Sequence, residues 1–330
     1  AATARAAAAR VRRGTAQARP CGAGDMTELA EPTGKPAAWP DTYGDEAKER
    51  MGFFTDTSVC IGCKACEVAC KEWNLVPEDG LVWPGESYDN TSELGANTWR
   101  HVAFVEQNEP QHLDGGGEEP ADALRWLMSS DVCKHCTHAA CLDVCPTGAL
   151  FRTDYGTVVV QEDVCNGCGY CVPACPFGVI DKRHIPRHGG DPPAEILGLQ
   201  LGKKEDGRVW KCTLCYDRLK GGHEPACAKA CPTDSIQFGP LDELRERADK
   251  RLEKLQTENW NGARLYGRDP DDGVGGFGAF FLLLDEPEVY GLPPDPVVTT
   301  SHLTEMWKTA AVATGALVLG VVAGFVGGAR

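Results

Sequence analysis

The sequence predicts an α+β protein in which four cysteine-rich loops form the centre and one membrane-spanning helix ends the chain. Sixteen of its 17 cysteines fall in four short groups, and cysteines two residues apart usually share a metal or a metal cluster. Three of the groups continue into short apolar segments that are typical of β-strands. Residues 309–329 carry no charge and form a stretch long enough to cross a bilayer.

The four cysteine groups have related spacings and indicate an internal repeat. Groups II, III and IV each continue with Cys-Pro, a turn residue and a short apolar segment, whereas group I has Lys71 in place of the proline. Cys21 lies outside the groups, and we expect it to be an unligated thiol. Group I is Cys60, Cys63, Cys66 and Cys70; group II is Cys133, Cys136, Cys141 and Cys145; group III is Cys165, Cys168, Cys171 and Cys175; group IV is Cys212, Cys215, Cys227 and Cys231.

The segments between and after the groups supply the rest of the fold. A hairpin is predicted to turn at residues 154–156, a strand lies near residues 98–107, and a Gly-rich turn lies at 115–117. Residues 241–255 place five apolar side chains on one face of an amphipathic helix. The G-x-G-x-x-G stretch at residues 273–278 precedes a strand-like segment, so it predicts a loop and not a dinucleotide site.

The charge of the chain argues against nucleic acid as a partner. The formal net charge is −15, although residues 1–20 carry five arginines and no acid. Residues 1–50 are predicted to be a disordered leader or upstream sequence wrongly included, with Met26 as a plausible start. A twin-arginine export signal needs an apolar run after its arginine pair, and no such run follows Arg12 and Arg13.

The C-terminal segment at residues 306–330 is predicted to be a membrane anchor. A helix of this length spans roughly 30 Å, the hydrocarbon thickness of a bilayer. The alternative is a buried C-terminal helix of a soluble protein. Gly320, Gly324 and Gly328 form a stripe that would let another helix approach closely. Lys308 and Arg330 flank the span almost symmetrically, so charge does not decide its orientation.

The spacing of the cysteines favours [4Fe–4S] clusters over zinc. Structural zinc takes two cysteine pairs separated by a longer loop. Groups I and III instead read C-x2-C-x2-C-x3-C, the bacterial ferredoxin pattern, in which the fourth cysteine binds the other cluster of a pair. Groups II and IV lengthen only the second gap, to four and eleven residues. We therefore predict four [4Fe–4S] clusters.

Loop length indicates which groups exchange their fourth ligands. Groups II and III are joined by the shortest loop, residues 146–164, whereas residues 71–132 separate I from II and residues 176–211 separate III from IV. The shortest loop costs least entropy to close, so group II is expected to pair with III, which leaves I with IV.

His135 and His138 are interpreted as packing or surface residues. Three lysines beside the ligands, Lys64, Lys134 and Lys211, are expected to be solvated, although each could raise a cluster's potential.

Residues 51–329 resemble the iron–sulfur (beta) subunits of complex molybdenum or tungsten oxidoreductases. The stretches CIGCKACEVACKEWN and KCTLCYDRLKGGHEPACAKACPTDSIQFG are most similar to the beta subunit of membrane-bound formate dehydrogenase. Nitrate reductase beta subunits have tryptophan in place of one group III cysteine, whereas all four are present here. The resemblance implies two intertwined bacterial-ferredoxin-like modules within residues 51–240, with groups II and III at 124–185. Residues 241–305 form a helix and an extension.

The same resemblance implies four sets of cluster ligands, which agree with the pairing that loop length favours. Set 1 is Cys60, Cys63, Cys66 and Cys231; set 2 is Cys133, Cys136, Cys141 and Cys175; set 3 is Cys165, Cys168, Cys171 and Cys145; set 4 is Cys212, Cys215, Cys227 and Cys70.

The resemblance also implies a function as an electron-transfer subunit that has no catalytic residues of its own. Electrons from formate oxidation at a molybdopterin catalytic subunit would pass to a membrane cytochrome b-type or quinone-reactive subunit. The soluble part is expected on the extracytoplasmic face, and the sequence leaves the cytoplasmic face open. Two alternatives stay open. The first is the same role in a membrane-bound nickel–iron hydrogenase or another molybdoenzyme complex, and the second is a non-conducting zinc or regulatory iron–sulfur protein.

Overall fold

The computed structural model describes residues 48–79, 93–107, 125–183, 207–271 and 273–328, together with five single residues between 83 and 91. Cys21, most of the predicted leader and the predicted turn at 115–117 lie outside the described residues. Arg50, the last residue of the predicted leader, is partly buried and donates hydrogen bonds to Thr137 Oγ1 at 2.8 Å and to the carbonyl of His135 at 3.2 Å.

The described residues form seven α-helices and ten β-strands, most of them short. The strands are β1 (Met51–Asp56), β2 (Arg100–Gln107), β3 (Arg125–Val132), β4 (Leu150–Arg152), β5 (Val158–Val160), β6 (Asp181–Lys182), β7 (Val209–Trp210), β8 (Ile236–Pro240), β9 (Arg264–Tyr266) and β10 (Ala279–Leu283). The helices are α1 (Ala65–Asn74), α2 (Ala140–Asp143), α3 (Cys171–Ala174), α4 (Tyr216–Lys220), α5 (Ala226–Lys229), α6 (Leu241–Thr257) and α7 (Leu303–Gly328).

A four-stranded sheet with the order β8-β1-β10-β9 holds the main core. β1 runs antiparallel to β8 and parallel to β10, and β9 is antiparallel to β10. Phe53, Phe54 and Phe280 are fully buried in this sheet, and the rings of Phe54 and Phe280 stack with centroids 5.3 Å apart. The predicted helix at 241–255 is confirmed as α6, which packs on β1 and β8 with Leu244 and Ala248 fully buried.

Three two-stranded pairs complete the sheet structure. The predicted hairpin after group II is confirmed: β4 and β5 pair antiparallel around a turn at residues 154–156. The predicted strand near residues 98–107 is confirmed as β2, which pairs antiparallel with β3. β6 and β7 form the third pair, with Asp181 opposite Trp210.

Lys71 stands where the other groups have proline because the helix of group I continues past its last cysteine. α1 runs for 10 residues to Asn74, whereas α2, α3 and α5 have four residues each and end before their Cys-Pro pairs. A proline inside α1 would remove a helical hydrogen bond and clash with the preceding turn. Lys71 also donates from Nζ to the carbonyl of Asn97 at 2.8 Å.

The C-terminal helix α7 does not pack its apolar residues against the rest of the described chain. Residues Glu305–Phe325 make a segment long and apolar enough to cross a membrane, and none of it is buried. Leu317, Leu319 and Phe325 are 69%, 71% and 79% exposed. The alternative of a buried helix in a soluble core therefore does not describe α7, whose surface requires lipid or another protein to cover it.

Candidate cluster-binding sites

Strand pairing brings group I to group IV although the two groups lie at opposite ends of the cysteine-rich region. β1 ends at Asp56, four residues before Cys60, and β8 begins at Ile236, five residues after Cys231. Because the strands are antiparallel with Thr55 opposite Ile236, the end of β1 lies beside the start of β8. The two cysteine loops are therefore attached at the same end of the sheet, side by side.

The cysteines of set 1 line one cavity. Its wall contains Cys60, Cys63 and Cys66 from group I, and Cys231 from group IV. Ser130 of β3 also lines it, and its hydroxyl lies 3.2 Å from Cys66 Sγ.

The cysteines of set 2 line a second cavity. Cys133, Cys136 and Cys141 come from group II, and Cys175 reaches in from group III. The β4–β5 hairpin between these groups places the end of one beside the start of the next, since Leu150 lies opposite Val160.

The other two sets are also brought together. The thiol of Cys171 interacts electrostatically with those of Cys165, Cys145 and Cys168, which are the other members of set 3. Cys70 interacts in the same way with Cys212, Cys227 and Cys215, the other members of set 4. Asn74 Nδ2 lies 3.6 Å from Cys70 Sγ and 3.9 Å from Cys215 Sγ, so one amide group contacts a sulfur atom from each of groups I and IV.

The sets are arranged as neighbours in the order 1, 4, 2, 3. Cys66 of set 1 interacts with Cys227 of set 4. Cys212 of set 4 interacts with Cys133 of set 2, and Cys141 of set 2 with Cys171 of set 3. Among the cysteines that the structure describes, Cys63 of set 1 and Cys168 of set 3 are exposed. All four cysteines of set 4 are buried, whereas sets 1 and 3, at the two ends of the row, each contain an exposed one.

A single zinc ion needs a more compact set of donors than a cluster does. Around one tetrahedral zinc, thiolate sulfurs lie about 3.8 Å apart, given Zn–S bonds of about 2.3 Å. Among the described residues, no three His, Cys, Asp or Glu side chains are close enough to hold one metal ion. A cubane cluster needs wider spacing, because each thiolate binds a different iron atom.

Burial disfavours free thiolates at these positions. Burial raises the pKa of Cys70 and Cys136 well above the ordinary value for a thiol, and neighbouring thiols raise it further. Burial also raises the pKa of Cys141 to about 12. Crowded and buried thiolates require a bound cationic centre that removes their protons and offsets their charge.

All four loops place the residue before their second cysteine in the left-handed region. These residues are Gly62, His135, Gly167 and Leu214, with φ between 45° and 73°. Glycine adopts this conformation without strain, but a side chain there costs about 1–2 kcal/mol. At Gly167 a Cβ atom would also come within 2.4 Å of the carbonyl oxygen of Gly207.

The expectation that Lys134 and Lys211 are solvated is wrong. Lys211 is 1% exposed and donates from Nζ to the carbonyls of Val158 and, at 3.0 Å, Cys212. Lys134 is fully buried and pairs with Asp131. Both backbones run through cysteine loops, so the side chains fold inward with them. Lys64 is different, because it is partly exposed and paired with Asp89 at 2.9 Å.

His135 is a packing residue, as predicted. It is 1% exposed, and its Nδ1 accepts a hydrogen bond from the Val158 backbone N–H at 3.1 Å. Burial and the neighbouring cations lower its pKa well below the ordinary histidine value. His138 is partly buried, with its ring beside Gly275.

Sequence reasoning missed three residues that contact or surround the thiols. Ser130 and Asn74 place a hydroxyl and an amide against sulfur atoms, and Arg100 is buried among thiols of groups I and IV. Hydrogen bonds and charges near the sulfur atoms tune cluster potentials. Only Asn74 had a local signal, one helical turn after Cys70. Ser130 and Arg100 come from the β2–β3 hairpin, outside the groups that hold the thiols around them.

Three regions of the chain match the family described as "4Fe-4S dicluster domain". They are residues 59–149, 124–186 and 164–236, which contain groups I and II, II and III, and III and IV. Each match joins groups that are consecutive along the chain. The chain is therefore a ferredoxin-type iron–sulfur protein that carries multiple [4Fe–4S] clusters.

Comparison with known proteins identifies a narrower family within the ferredoxin-type iron–sulfur proteins. The chain is 39% identical over 293 residues to the formate dehydrogenase iron–sulfur subunit of Haemophilus influenzae, covering 86% of this chain and 82% of the relative. It is 38% identical over 275 residues to the iron–sulfur subunit of the nitrate-inducible formate dehydrogenase of Escherichia coli, covering 82% and 81%. One subunit of the E. coli anaerobic dimethyl sulfoxide reductase is 36% identical over 199 residues, covering 60% and 77%. The chain belongs to the family of formate dehydrogenase iron–sulfur subunits.

Proposed function

We propose that this chain conducts electrons through four [4Fe–4S] clusters, held by ligand sets 1 to 4, within a membrane-bound formate dehydrogenase. The observation that carries this proposal is the continuous row of sets in the order 1, 4, 2, 3. A [4Fe–4S] cluster, when bound, takes up and releases one electron at a time. The residues of the chain fix the order of the clusters and keep the middle of the row away from solvent.

The two intertwined modules of the proposal are supported by helix packing. α1, which carries Cys66 and Cys70, packs on α5, which carries Cys227. α2 and α3, which carry Cys141 and Cys171, pack on each other. Groups I and IV would therefore form one double-cluster module, and groups II and III the other.

The direction of electron flow is proposed from the position of the membrane helix. Just before α7, Thr300 Oγ1 donates to Asp143 Oδ2 at 2.7 Å, and Thr299 Oγ1 donates to the Ala174 carbonyl at 3.1 Å. Asp143 and Ala174 lie in groups II and III. These contacts join the segment before α7 to the half of the row that contains sets 2 and 3, which supports electron exit from that half and entry at set 1.

The partners in this proposal follow from the family and from α7. The formate dehydrogenase relatives match more of this chain than the dimethyl sulfoxide reductase relative does, which supports formate as the electron source. A catalytic subunit with molybdopterin, containing molybdenum or tungsten, would deliver electrons to set 1. α7 would cross the membrane once beside a cytochrome b-type or quinone-reactive subunit, with the soluble part on the extracytoplasmic face.

The deciding experiment is reduction of the clusters in the anaerobically solubilised complex, followed by electron paramagnetic resonance. We expect formate to reduce clusters of this chain and molybdenum or tungsten to copurify with it. Reduction by hydrogen but not by formate would refute formate as the donor and assign the chain to a hydrogenase. Iron and labile sulfide should each be near 16 per chain for four clusters, about four per cluster. Zinc without labile sulfide would refute the whole proposal.

A further inference from the structure

Arg100 is a buried cation at the start of β2. It is 2% exposed and lies opposite Val132 of β3. Its Nη1 donates to Ser130 Oγ at 3.0 Å and to the Ser130 carbonyl at 3.3 Å. The guanidinium also lies over the ring of Phe53, 4.9 Å from the centroid. The side chain is therefore held in one place from two sides.

Nothing among the described residues supplies Arg100 with a carboxylate. Its Nε and Nη2 are buried and have no hydrogen-bond partner. By contrast, Arg125 at the other end of the same hairpin pairs with Asp285 at 3.0 Å, and Arg251 pairs with Asp56 at 2.9 Å. A buried charge without a counter-charge is costly, so the fold must provide Arg100 with negative charge of another kind.

The groups around Arg100 are thiols from two different ligand sets. Burial lowers its pKa, but interaction with Cys227, Cys66, Cys212 and Cys70 raises it above the ordinary value. In return, the charge of Arg100 lowers the pKa of the Cys66 and Cys227 thiols, whereas burial raises it. Cys66 belongs to set 1, and the other three belong to set 4.

We propose that Arg100 is a positioning residue that acts as the shared counter-charge of the clusters at sets 1 and 4 and raises the reduction potential of both. This inference rests on the proposed ligand sets. The unpartnered Nε and Nη2 groups supply N–H donors for sulfur atoms, and the Ser130 hydroxyl connects the guanidinium to Cys66. Adding one electron to either cluster adds one negative charge, which the fixed positive charge stabilises.

Arginine suits this role better than lysine would. A guanidinium stays protonated throughout the physiological pH range and spreads five N–H donors over a plane, so it can serve two acceptors on different sides. Lysine would keep the charge as a single point and lose the fork. The first pair of clusters in the proposed row would thus share one pH-independent charge.

The test is a redox titration of the intact complex, followed by electron paramagnetic resonance, with the variants Arg100→Met and Arg100→Lys. For Arg100→Met we expect the equilibrium constant of one-electron reduction to fall at least tenfold at two clusters, a shift of about 59 mV each, with the other two unchanged. Arg100→Lys should give a smaller shift at the same two clusters. Arg125→Met removes an arginine from the same hairpin that has its own carboxylate, and it should shift no cluster.

Iron and sulfide contents separate the possible failures. If the wild-type chain lacks labile sulfide, the proposed function fails and this inference fails with it. If all four clusters are present and no potential moves in Arg100→Lys and Arg100→Met, only the inference is refuted. Equal shifts in Arg100→Met and Arg125→Met would also refute it. If Arg100→Met does not assemble, Arg100→Gln takes its place, because it also removes the charge and unchanged potentials in it would refute the inference.

Discussion

The exchange of fourth ligands between groups I and IV is the prediction that tests the architecture most directly. Cys231 lines the same cavity as Cys63, whereas Cys70 lies with the thiols of group IV. If each group instead held its own cluster, Cys63 and Cys70 would share one, and Cys231 would belong elsewhere. The two arrangements predict opposite pairs of coupled residues.

Double-variant cycles distinguish them by counting iron and sulfide. A complete cluster accounts for about four irons, a quarter of the total for four clusters. Cys63→Ala and Cys231→Ala should be non-additive: where each single change loses about four irons, the double variant should also lose about four. Where each single change leaves a damaged cluster that keeps most of its iron, the double variant should lose the whole cluster. Substitutions at independent sites add, so Cys63→Ala with Cys70→Ala should lose the sum of the two single losses.

Metal and sulfide analysis of the anaerobically purified chain is the assay, with signal counts by electron paramagnetic resonance as a second measure. The pair Cys63 and Cys70 is the matched control, since both residues belong to group I. Additive losses for Cys63 with Cys231, together with non-additive losses for Cys63 with Cys70, would refute the exchange.

Three further predictions concern hydrogen bonding, loop geometry and the membrane helix. Asn74→Leu removes the amide that contacts two sulfur atoms at 3.6 and 3.9 Å. The reduction potential of one cluster should then fall by about 20–60 mV, the contribution of one hydrogen bond. Unchanged potentials at every cluster would contradict this prediction. Gly167→Ala and Gly178→Ala both place a side chain at positive φ, but only the first brings a Cβ atom to 2.4 Å from a backbone carbonyl. Gly167→Ala alone should therefore lose about a quarter of the iron. Similar iron contents in the two glycine variants would show that the collision does not matter. Leu317→Arg, at the middle of α7, should make membrane insertion less favourable by about 3–4 kcal/mol, a hundredfold or more in the insertion equilibrium. Carbonate extraction should therefore release more of this variant than of the wild-type chain. Leu75→Arg, at a site 81% exposed on the soluble part, should leave extraction unchanged.

The elements with strong local patterns were predictable from the sequence. The spacing of the cysteines identified the loops, helical periodicity identified α6, and an uncharged run identified α7. The β4–β5 hairpin was also predictable, because its turn is short and its strands are adjacent in the chain. Each of these signals lies within one short segment. The ligand sets themselves stay a prediction, although the structure brings the thiols of each set together.

The central sheet could not be read from local patterns. β1 pairs with β8 and with β10, which follow it only after all four cysteine groups, and no local signal fixes such a register. The buried lysines were misjudged because lysine is rarely buried, and only the three-dimensional arrangement shows the thiols that surround them. Arg100 was missed for the same reason: its role depends on cysteines that come from both ends of the cysteine-rich region.

The register of this sheet bears directly on the candidate sites. β1 leads into Cys60 and β8 follows Cys231, so the pairing of Thr55 with Ile236 sets how far apart these two thiols of set 1, Cys60 and Cys231, lie. A slip of one residue would move one loop by about 3.3 Å along the strand and exchange the two faces of the strand. Such a shift would open the ligand set. Phe53 and Phe54, fully buried on either face of β1, make a slip unfavourable because both faces would lose their packing. The hydrophobic core therefore fixes the distance between two ligands that come from the first and the last cysteine group of the sequence.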